Sequence, residues 1–345
     1  MRVLIVKPSS IGDVLHTFPA VALLRRAVPE VAALDWVVND SLMDVVRLCG
    51  DVDRIIPFPR KTAWRPSALF HFMHELRAER YDVVLDFQGL LRSGLITYFS
   101  HANVRAGFAC AREGASWFYN QKVALPEMHA HAADKNLTLV REVFHLPDDL
   151  PTPTAKIHIP ANGNAEADRL AERLPGKGPL LAVCFSSRWP SKNWPLPFLA
   201  QILELVTAAI PDVRIWLLGA QNDVSDGDRL ATLAPHARPV NLAGKTSFGG
   251  LAALLARSRA LMTVDSGPMH LAAALGTRCF ALFGATDPVL TGPYGPAHVV
   301  FRSPCPDSPC LERNCPRHAD CTANLAPDTI ATSILPFLQT QGTVQ

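Results

Sequence analysis

The sequence predicts an α/β fold in two halves, each a parallel sheet with helices on both faces. Three observations predict it. Short apolar, β-branched runs alternate with amphipathic helical stretches, the pattern of strands buried on both sides. The alternation breaks once, over the proline-rich residues 146–180, and then restarts. The chain has 345 residues, more than a single core usually serves.

In the first half, "RVLIV" reads as a buried strand and "VLHTFPAVALLRRAVP" as a helix with Leu15, Phe18, Val21, Ala22 and Leu24 on or near one face. "LDWVV" is a second strand, followed by a helix, "DSLMDVVRLC", capped by Asp40 or Ser41. "RIIPF" is a third strand, "ALFHFMHELRAER" a helix and "YDVVLDF" a fourth strand. "LPDDLPTPTAKIHIP", then "LPGKGP" after a short helical piece, reads as an interdomain connection. The rhythm restarts with the strand "LLAVCFS", the helix "LPFLAQILELVTAAIP" and the strand "RIWLLGA". The helical stretch "DGDRLATLAP", the short strand "VNLAG" and the helix "SFGGLAALLARSR" follow. The strand "ALMTVDS", the helix "PMHLAAALG" and the strand "CFALFG" come last. Two halves of similar size are expected to face each other across a cleft.

Hydrophobic residues make up 48% and charged residues 19%, ordinary for buried sheets. The net charge of +2 argues against a nucleic-acid partner while leaving room for a local basic patch. The N-terminal apolar run, Val3 to Val6, is too short for a signal peptide. No stretch approaches the roughly 20 apolar residues of a membrane span. A cytoplasmic protein that can visit a membrane surface is expected. In a reducing compartment the 8 cysteines are then no disulfide framework.

Ligands of open α/β sheets bind beyond the carboxyl ends of the strands, where helix N–H groups point outward. The turn "KPSSIGDVLH" carries neither a dinucleotide fingerprint nor a P-loop. It offers Lys7, Ser9, Ser10 and Asp13 around Gly12, and Asp13 reads either as a helix cap or as a general base. The turn "CFSSRWPSKNWP" sets the hydroxyls of Ser186 and Ser187 beside the cations Arg188 and Lys192, a set suited to a phosphate or diphosphate. A solvated loop is the competing reading. "TVDSGPMHLAAALG" ends a buried strand in Asp265-Ser266-Gly267-Pro268, with Met269 and His270 opening a helix. Its N–H groups suit an anion, and Asp265 suits sugar hydroxyls. "LFGATDPVLTGPYGP" places Thr286 and Asp287 over the same region, and "PRKTAWRP" holds Arg60, Lys61 and Arg65 as a basic patch. Cys305, Cys310, Cys315 and Cys321 are spaced near, but not on, the zinc-module pattern, so a structural metal stands beside a thiol-rich loop as a reading. No histidine spacing indicates a catalytic metal.

Four stretches together closely resemble the family 9 glycosyltransferases, the bacterial heptosyltransferases of the lipopolysaccharide inner core. They are "MRVLIVKPSSIGDVLHTFPA", "YDVVLDFQGLLRSG", "SSRWPSKNWP" and "TVDSGPMHLAAALGTRCFALFGATDP". The resemblance covers Met1 to about Pro336. It implies a GT-B fold, two facing Rossmann-like domains with a central cleft. Residues 1–160 would bind the acceptor, 161–180 connect, 181–330 bind the nucleotide-sugar donor, and 331–345 form a tail. The implied donor is ADP-heptose. Lys192, with Ser187 and Arg188, would hold the diphosphate, and Asp265 would grip heptose hydroxyls. Ser266, Gly267, Met269 and His270 would line diphosphate and sugar, and Asp223 would contact the ribose. Arg60, Lys61 and Arg65, with Arg92 and Arg112, match a basic surface for an anionic glycolipid acceptor, bearing Kdo carboxylates and lipid A phosphates, at the inner-membrane surface. Asp13 would be the base of a single inverting displacement that requires no cofactor. The N-terminal turn is most similar to members acting on Kdo, whereas "RWPSKNWP" and the cysteine-rich tail are more similar to others. The alternatives are a related transferase with another acceptor, such as a core heptose, another glycan or a protein hydroxyl, or with another nucleotide-sugar. A nucleotide-sugar binding protein without turnover is the remaining one.

Overall fold

The computed structural model describes residues 1–173, 176–315 and 325–339. The chain divides into two compact units, Met1–His158 and Ile159–Gln345. The first unit contains β1 (Arg2–Val6), β2 (Ala33–Asn39), β3 (Arg54–Phe58), β4 (Val83–Asp86), β5 (Val104–Phe108) and β6 (Gln121–Val123). Its helices are α1 (Ile11–Leu15), α2 (Phe18–Ala27), α3 (Met43–Val46), α4 (Pro66–Arg77), α5 (Leu91–Phe99) and α6 (Ala132–Phe144). The second unit contains β7 (Leu180–Cys184), β8 (Arg214–Leu218), β9 (Val240–Asn241), β10 (Ala260–Val264), β11 (Arg278–Phe283) and β12 (Val299–Arg302). Its helices are α7 (Ala161–Ala171), α8 (Leu196–Ala209), α9 (Val224–Leu233), α10 (Phe248–Arg257), α11 (Gly267–Ala274), α12 (Pro288–Thr291) and α13 (Pro327–Gln339).

Among the described residues each unit holds one 6-stranded parallel sheet, ordered β3-β2-β1-β4-β5-β6 and β12-β11-β10-β7-β8-β9. Counted within its own unit, each sheet has the same topology, with the first strand between the second and the fourth. Val3 pairs with Leu34 on one side and Val83 on the other. Leu181 likewise pairs with Ile215 and Ala260. The four residues Val3 to Val6 are all 0% exposed, as a strand covered on both faces requires. Strand order reverses beside β1 and beside β7. Chain leaving the carboxyl ends there diverges, which opens the crevice where such sheets bind ligands.

Helix packing follows the apolar period. α8 begins at a proline-containing first turn and buries Leu199, Ile202, Leu203 and Val206, a three-to-four residue repeat. α13 lies beside it, with Ile330 and Ile334 at 0% exposure. The single helix expected from Val14 to Pro29 is two, α1 and α2, because Pro19 sits in a new first turn after Thr17. The stretch 161–180, expected as a connection, contains α7, which packs on α10 in the second unit. α13 runs to Gln339, past the residue-330 limit expected for that domain. The strands β5 and β6 carry too little signal to be read in advance: "VRAGF" is interrupted by Arg and Gly, and β6 is three residues long. No helix of the described residues is long and apolar enough to cross a membrane.

Candidate active site

At the reversal in the first sheet, Lys7 follows β1 directly and is 7% exposed. Its Nζ donates to the Phe87 carbonyl at 2.9 Å and stands 3.9 Å from Asp13 Oδ1. Burial holds the Lys7 ammonium below its ordinary value, while Asp13 and Asp86 act in the opposite direction. Asp13 lies in the first turn of α1. Its Oδ2 accepts the Ser10 backbone N–H at 2.8 Å and the Ser10 hydroxyl at 2.7 Å. Capping and aiming are therefore the same contact, and the side chain keeps 44% of its surface exposed. Asp86, at the end of β4, is fully buried and accepts from the Tyr119 hydroxyl at 2.6 Å and from the Gln88 and Gly89 amides at 2.8 and 3.1 Å. Burial pushes its carboxyl up, against the pull of those donors.

The expected basic residues gather at neighbouring strand ends of this unit. Arg60 and Lys61 are exposed in the turn after β3, and the Arg65 guanidinium lies 5.0 Å over the ring of Trp64. Arg92, on α5, lies 5.5 Å over the ring of Phe58, the last residue of β3, which brings it to the same end. The Arg112 N–H donates to the Gly89 carbonyl at 2.9 Å, tying Arg112 to the loop after β4.

At the reversal in the second sheet, Asp265 follows β10 and is 5% exposed. Its Oδ2 accepts from Lys192 Nζ at 2.7 Å and from Thr286 Oγ1 at 2.6 Å. Loops after β7, β10 and β11 thus meet at one carboxylate. Lys192 also lies 4.8 Å over the ring of Trp189. The Ser187 N–H donates to Asn193 Oδ1 at 2.7 Å, which fixes the loop that carries Ser186 and Arg188. Ser266 stands at the N-cap position of α11 just ahead of Gly267 and Pro268, and its Oγ is turned to Thr263 Oγ1 at 3.2 Å rather than to the helix N–H groups. In the first turn of α11, Pro268 carries no N–H and the Met269 N–H donates to the Ser266 carbonyl at 3.2 Å, so the Gly267 N–H and the positive end of the helix are what suit an anion there.

Several residues stand differently from the sequence expectation. Lys192 and Asp265, given separate tasks, form one ion pair. Met269 is 0% exposed and belongs to the core, and His270 is 8% exposed beneath the helix start. Asp223 turns back to accept the Ala220 N–H at 2.6 Å. A Cβ at Gly219 would come within 2.9 Å of Asp223, so this turn needs glycine. Cys305, Cys310 and Cys315 are partly exposed free thiols, and Cys321 lies outside the described residues. Among the described residues no three His, Cys, Asp or Glu side chains converge as metal ligands. The loop that carries Cys310 is also tied to the site: the Leu311 N–H donates to Ala285 O at 2.7 Å and Ser191 Oγ to Glu312 O at 2.5 Å. Thr286, expected over this region from its place right after "LFGA", was given no task from sequence, and its hydroxyl donates to Asp265. Asp86 and Tyr119 gave no signal, since a strand-end aspartate and a distant tyrosine do not announce their pairing.

Chemically, the first unit presents an aimed, half-exposed carboxylate with cations around it. The second presents a lysine, hydroxyls and a helix start, a cradle for a phosphorylated sugar. The glycosyltransferase family 9 (heptosyltransferase) model matches residues 69–319. Lipopolysaccharide heptosyltransferase 1 of Pseudomonas aeruginosa is 31% identical, over 100% of both chains. The E. coli heptosyltransferase WaaC solved with ADP superposes with a TM-score of 0.76 at 29% identity, covering 98% of this chain and 100% of that one. The same enzyme with ADP-2-deoxy-2-fluoro heptose gives 0.72 at 31% identity, covering 88% and 94%. The chain belongs to glycosyltransferase family 9, the heptosyltransferases, and has their GT-B fold.

Proposed function

We propose that this protein is an inverting transferase that moves L-glycero-D-manno-heptose from ADP-heptose to a Kdo-bearing inner-core acceptor of lipopolysaccharide. The observation that carries the reading is the Asp13 carboxylate, aimed by Ser10 beside Lys7 and half exposed, in a chain whose relatives are lipopolysaccharide heptosyltransferases. The first unit takes the acceptor, whose anionic groups meet Arg60, Lys61, Arg65, Arg92 and Arg112. The second takes the donor. Lys192, Ser186, Ser187 and Arg188 face its diphosphate, with Ser266 and Gly267 at the start of α11. Asp265 meets heptose hydroxyls, and Asp223 the ribose. The enzyme works in the cytoplasm, peripheral to the inner membrane.

The reaction is one displacement. Asp13 accepts the proton of the acceptor hydroxyl as that oxygen bonds to the anomeric carbon of heptose. The bond from that carbon to the diphosphate oxygen breaks, and the electron pair leaves with ADP. The Lys192 ammonium and the positive start of α11, with the Gly267 N–H, meet the charge that develops on the leaving diphosphate. Lys7 keeps a cation beside Asp13, which favours the ionised carboxylate that a base needs.

The test is ADP release from ADP-heptose with Kdo-lipid A. Turnover with this pair is expected, and it is lost without acceptor. Turnover restricted to another acceptor in a screen of core heptoses, other glycans and protein hydroxyls would move the acceptor assignment. No turnover with any acceptor, together with intact ADP-heptose binding, would leave a binding protein.

A further inference from the structure

One helix of the first unit is inverted. α5 buries Ser93, Gly94, Ile96 and Thr97, so two hydroxyl side chains face inward. Its outer face carries Leu91, Leu95, Tyr98 and Phe99, exposed to 44%, 36%, 47% and 39%. Their spacing places all four on one stripe of the helix. The stripe extends on both sides. The Tyr98 ring meets Phe118 at 5.8 Å, and the next residue back, Trp117, is 82% exposed. On α4, Phe70 is 75% exposed and lies two turns from Arg77, whose Nε donates to the Phe99 carbonyl at 3.1 Å.

Cations border this apolar stripe. Arg77 lies 5.9 Å over the Phe99 ring, Arg105 lies 5.9 Å over the Tyr98 ring, and Arg92 projects from α5 itself. From Arg60 to Arg112 the chain has 8 Lys or Arg against 4 Asp or Glu, one of which is the buried Asp86, although the whole chain carries only +2. Exposed aromatic and aliphatic side chains framed by arginines are the composition of a surface that rests in the headgroup layer of an anionic bilayer. The stripe is also continuous with the acceptor cations, since Arg92 belongs to both. A glycolipid whose acyl chains remain in the bilayer presents its anionic head at that edge.

We propose that the outer face of α5, with Trp117 and Phe70, docks the first unit onto an anionic lipid bilayer. The proposal rests on the reading above that the acceptor is lipid-anchored and that the enzyme works at a membrane, and it names the surface that makes the contact.

The test uses the full chain with vesicles of phosphatidylcholine alone or mixed with phosphatidylglycerol, read by co-sedimentation. Wild type is expected to bind the phosphatidylglycerol vesicles, more weakly as salt rises, and to bind phosphatidylcholine poorly. The variant Leu95→Ser/Tyr98→Ser/Trp117→Ser should lose about tenfold or more of that partitioning, because three interfacial anchors are gone. The single change Trp117→Ser, at the most exposed position, should move binding the same way and keeps the test valid if the triple variant folds poorly. Transfer to vesicle-borne acceptor should fall in parallel, while transfer to a soluble, delipidated Kdo acceptor stays unchanged. Wild type that ignores anionic vesicles, or variants that bind them normally, would overturn the docking surface. So would a wild-type dimer that these changes dissociate, which would give the face to a second copy. Vesicle binding needs no ADP-heptose, so intact binding without heptose transfer would remove the functional reading and leave this one standing.

Discussion

The aspartate that ends the fourth strand of the first sheet, Asp86, is 0% exposed and takes its hydrogen bonds from a phenol and two backbone amides. Asp265, just beyond the end of the fourth strand of the second sheet, is 5% exposed and takes them from an ammonium and a threonine hydroxyl. The topology is the same and each aspartate has a lysine nearby from the first-strand loop. The partnering differs. In the first unit Lys7 reaches past the strand end toward Asp13, a carboxylate on the helix that keeps 44% of its surface exposed. In the second unit Lys192 closes on the buried carboxylate itself, and the lysine is the more exposed of the two, at 18% against 6%. One arrangement offers solvent a base, and the other offers it a cation. A transfer reaction that must deprotonate one substrate and receive an anion from the other needs one of each.

The largest expected effect breaks the first arrangement. Asp13→Asn keeps an oxygen for the Ser10 bonds but removes the base, and kcat should fall by roughly 10² to 10⁴. Affinity for ADP-heptose, measured by calorimetry, should not change. Near-normal turnover would take the base away from this residue.

Next comes the second arrangement. Lys192→Ala removes a charge-assisted contact worth about 1.5–3 kcal/mol, so ADP-heptose affinity should drop by about ten- to a hundredfold. It also strands Asp265 without its cation. Asp265→Asn in the Lys192→Ala background should therefore recover part of the loss, a coupling that a double-mutant cycle measures. Strictly additive losses would mean that the ion pair is incidental to donor binding.

A smaller effect separates Lys7 from Lys192. Lys7→Met leaves the donor side untouched and removes the cation beside Asp13. A nearby positive charge favours an ionised carboxylate, so its loss should move the acid limb of kcat/KM to higher pH, with ADP-heptose affinity unchanged. A pH profile that keeps its acid limb in place would reduce Lys7 to packing.

Much of this comparison was legible from residues alone. The alternation of apolar runs gave both sheets, because strands covered on two faces must be apolar throughout. Asp13, Lys192 and Asp265 were legible because each falls between the end of a strand and the first turn of the helix that follows it. What stayed hidden was pairing. Nothing local says that Lys192 reaches Asp265, 73 positions on, rather than a phosphate. Nor does anything local say that Tyr119 closes over Asp86, since both contacts are made by the register of the sheets. The inverted helix α5 was hidden for a related reason: "LRSGLITYF" is apolar enough on every side that its period does not reveal which face turns outward.

The smallest effect tests whether Asp86 is only structural. The Tyr119 ring is held against Gly107, where a Cβ would come within 2.3 Å of it, so phenylalanine fits the same slot. Tyr119→Phe then removes one hydrogen bond to a buried carboxylate and should cost about 1 kcal/mol of stability. The pH dependence has a definite sign. Burial raises the Asp86 carboxyl above its unfolded value, so its favourable contribution is present in acid and is lost as pH rises through the folded value. The Tyr119 hydroxyl opposes that rise, and removing it widens the gap. The variant should therefore be more destabilised at neutral pH than in acid, as urea unfolding at the two pH values would show. Transfer activity should be unaffected, because the carboxylate proposed to serve the reaction is Asp13. A loss of kcat with stability intact would put Asp86 into the chemistry and make the two strand-end aspartates more alike than their partners suggest.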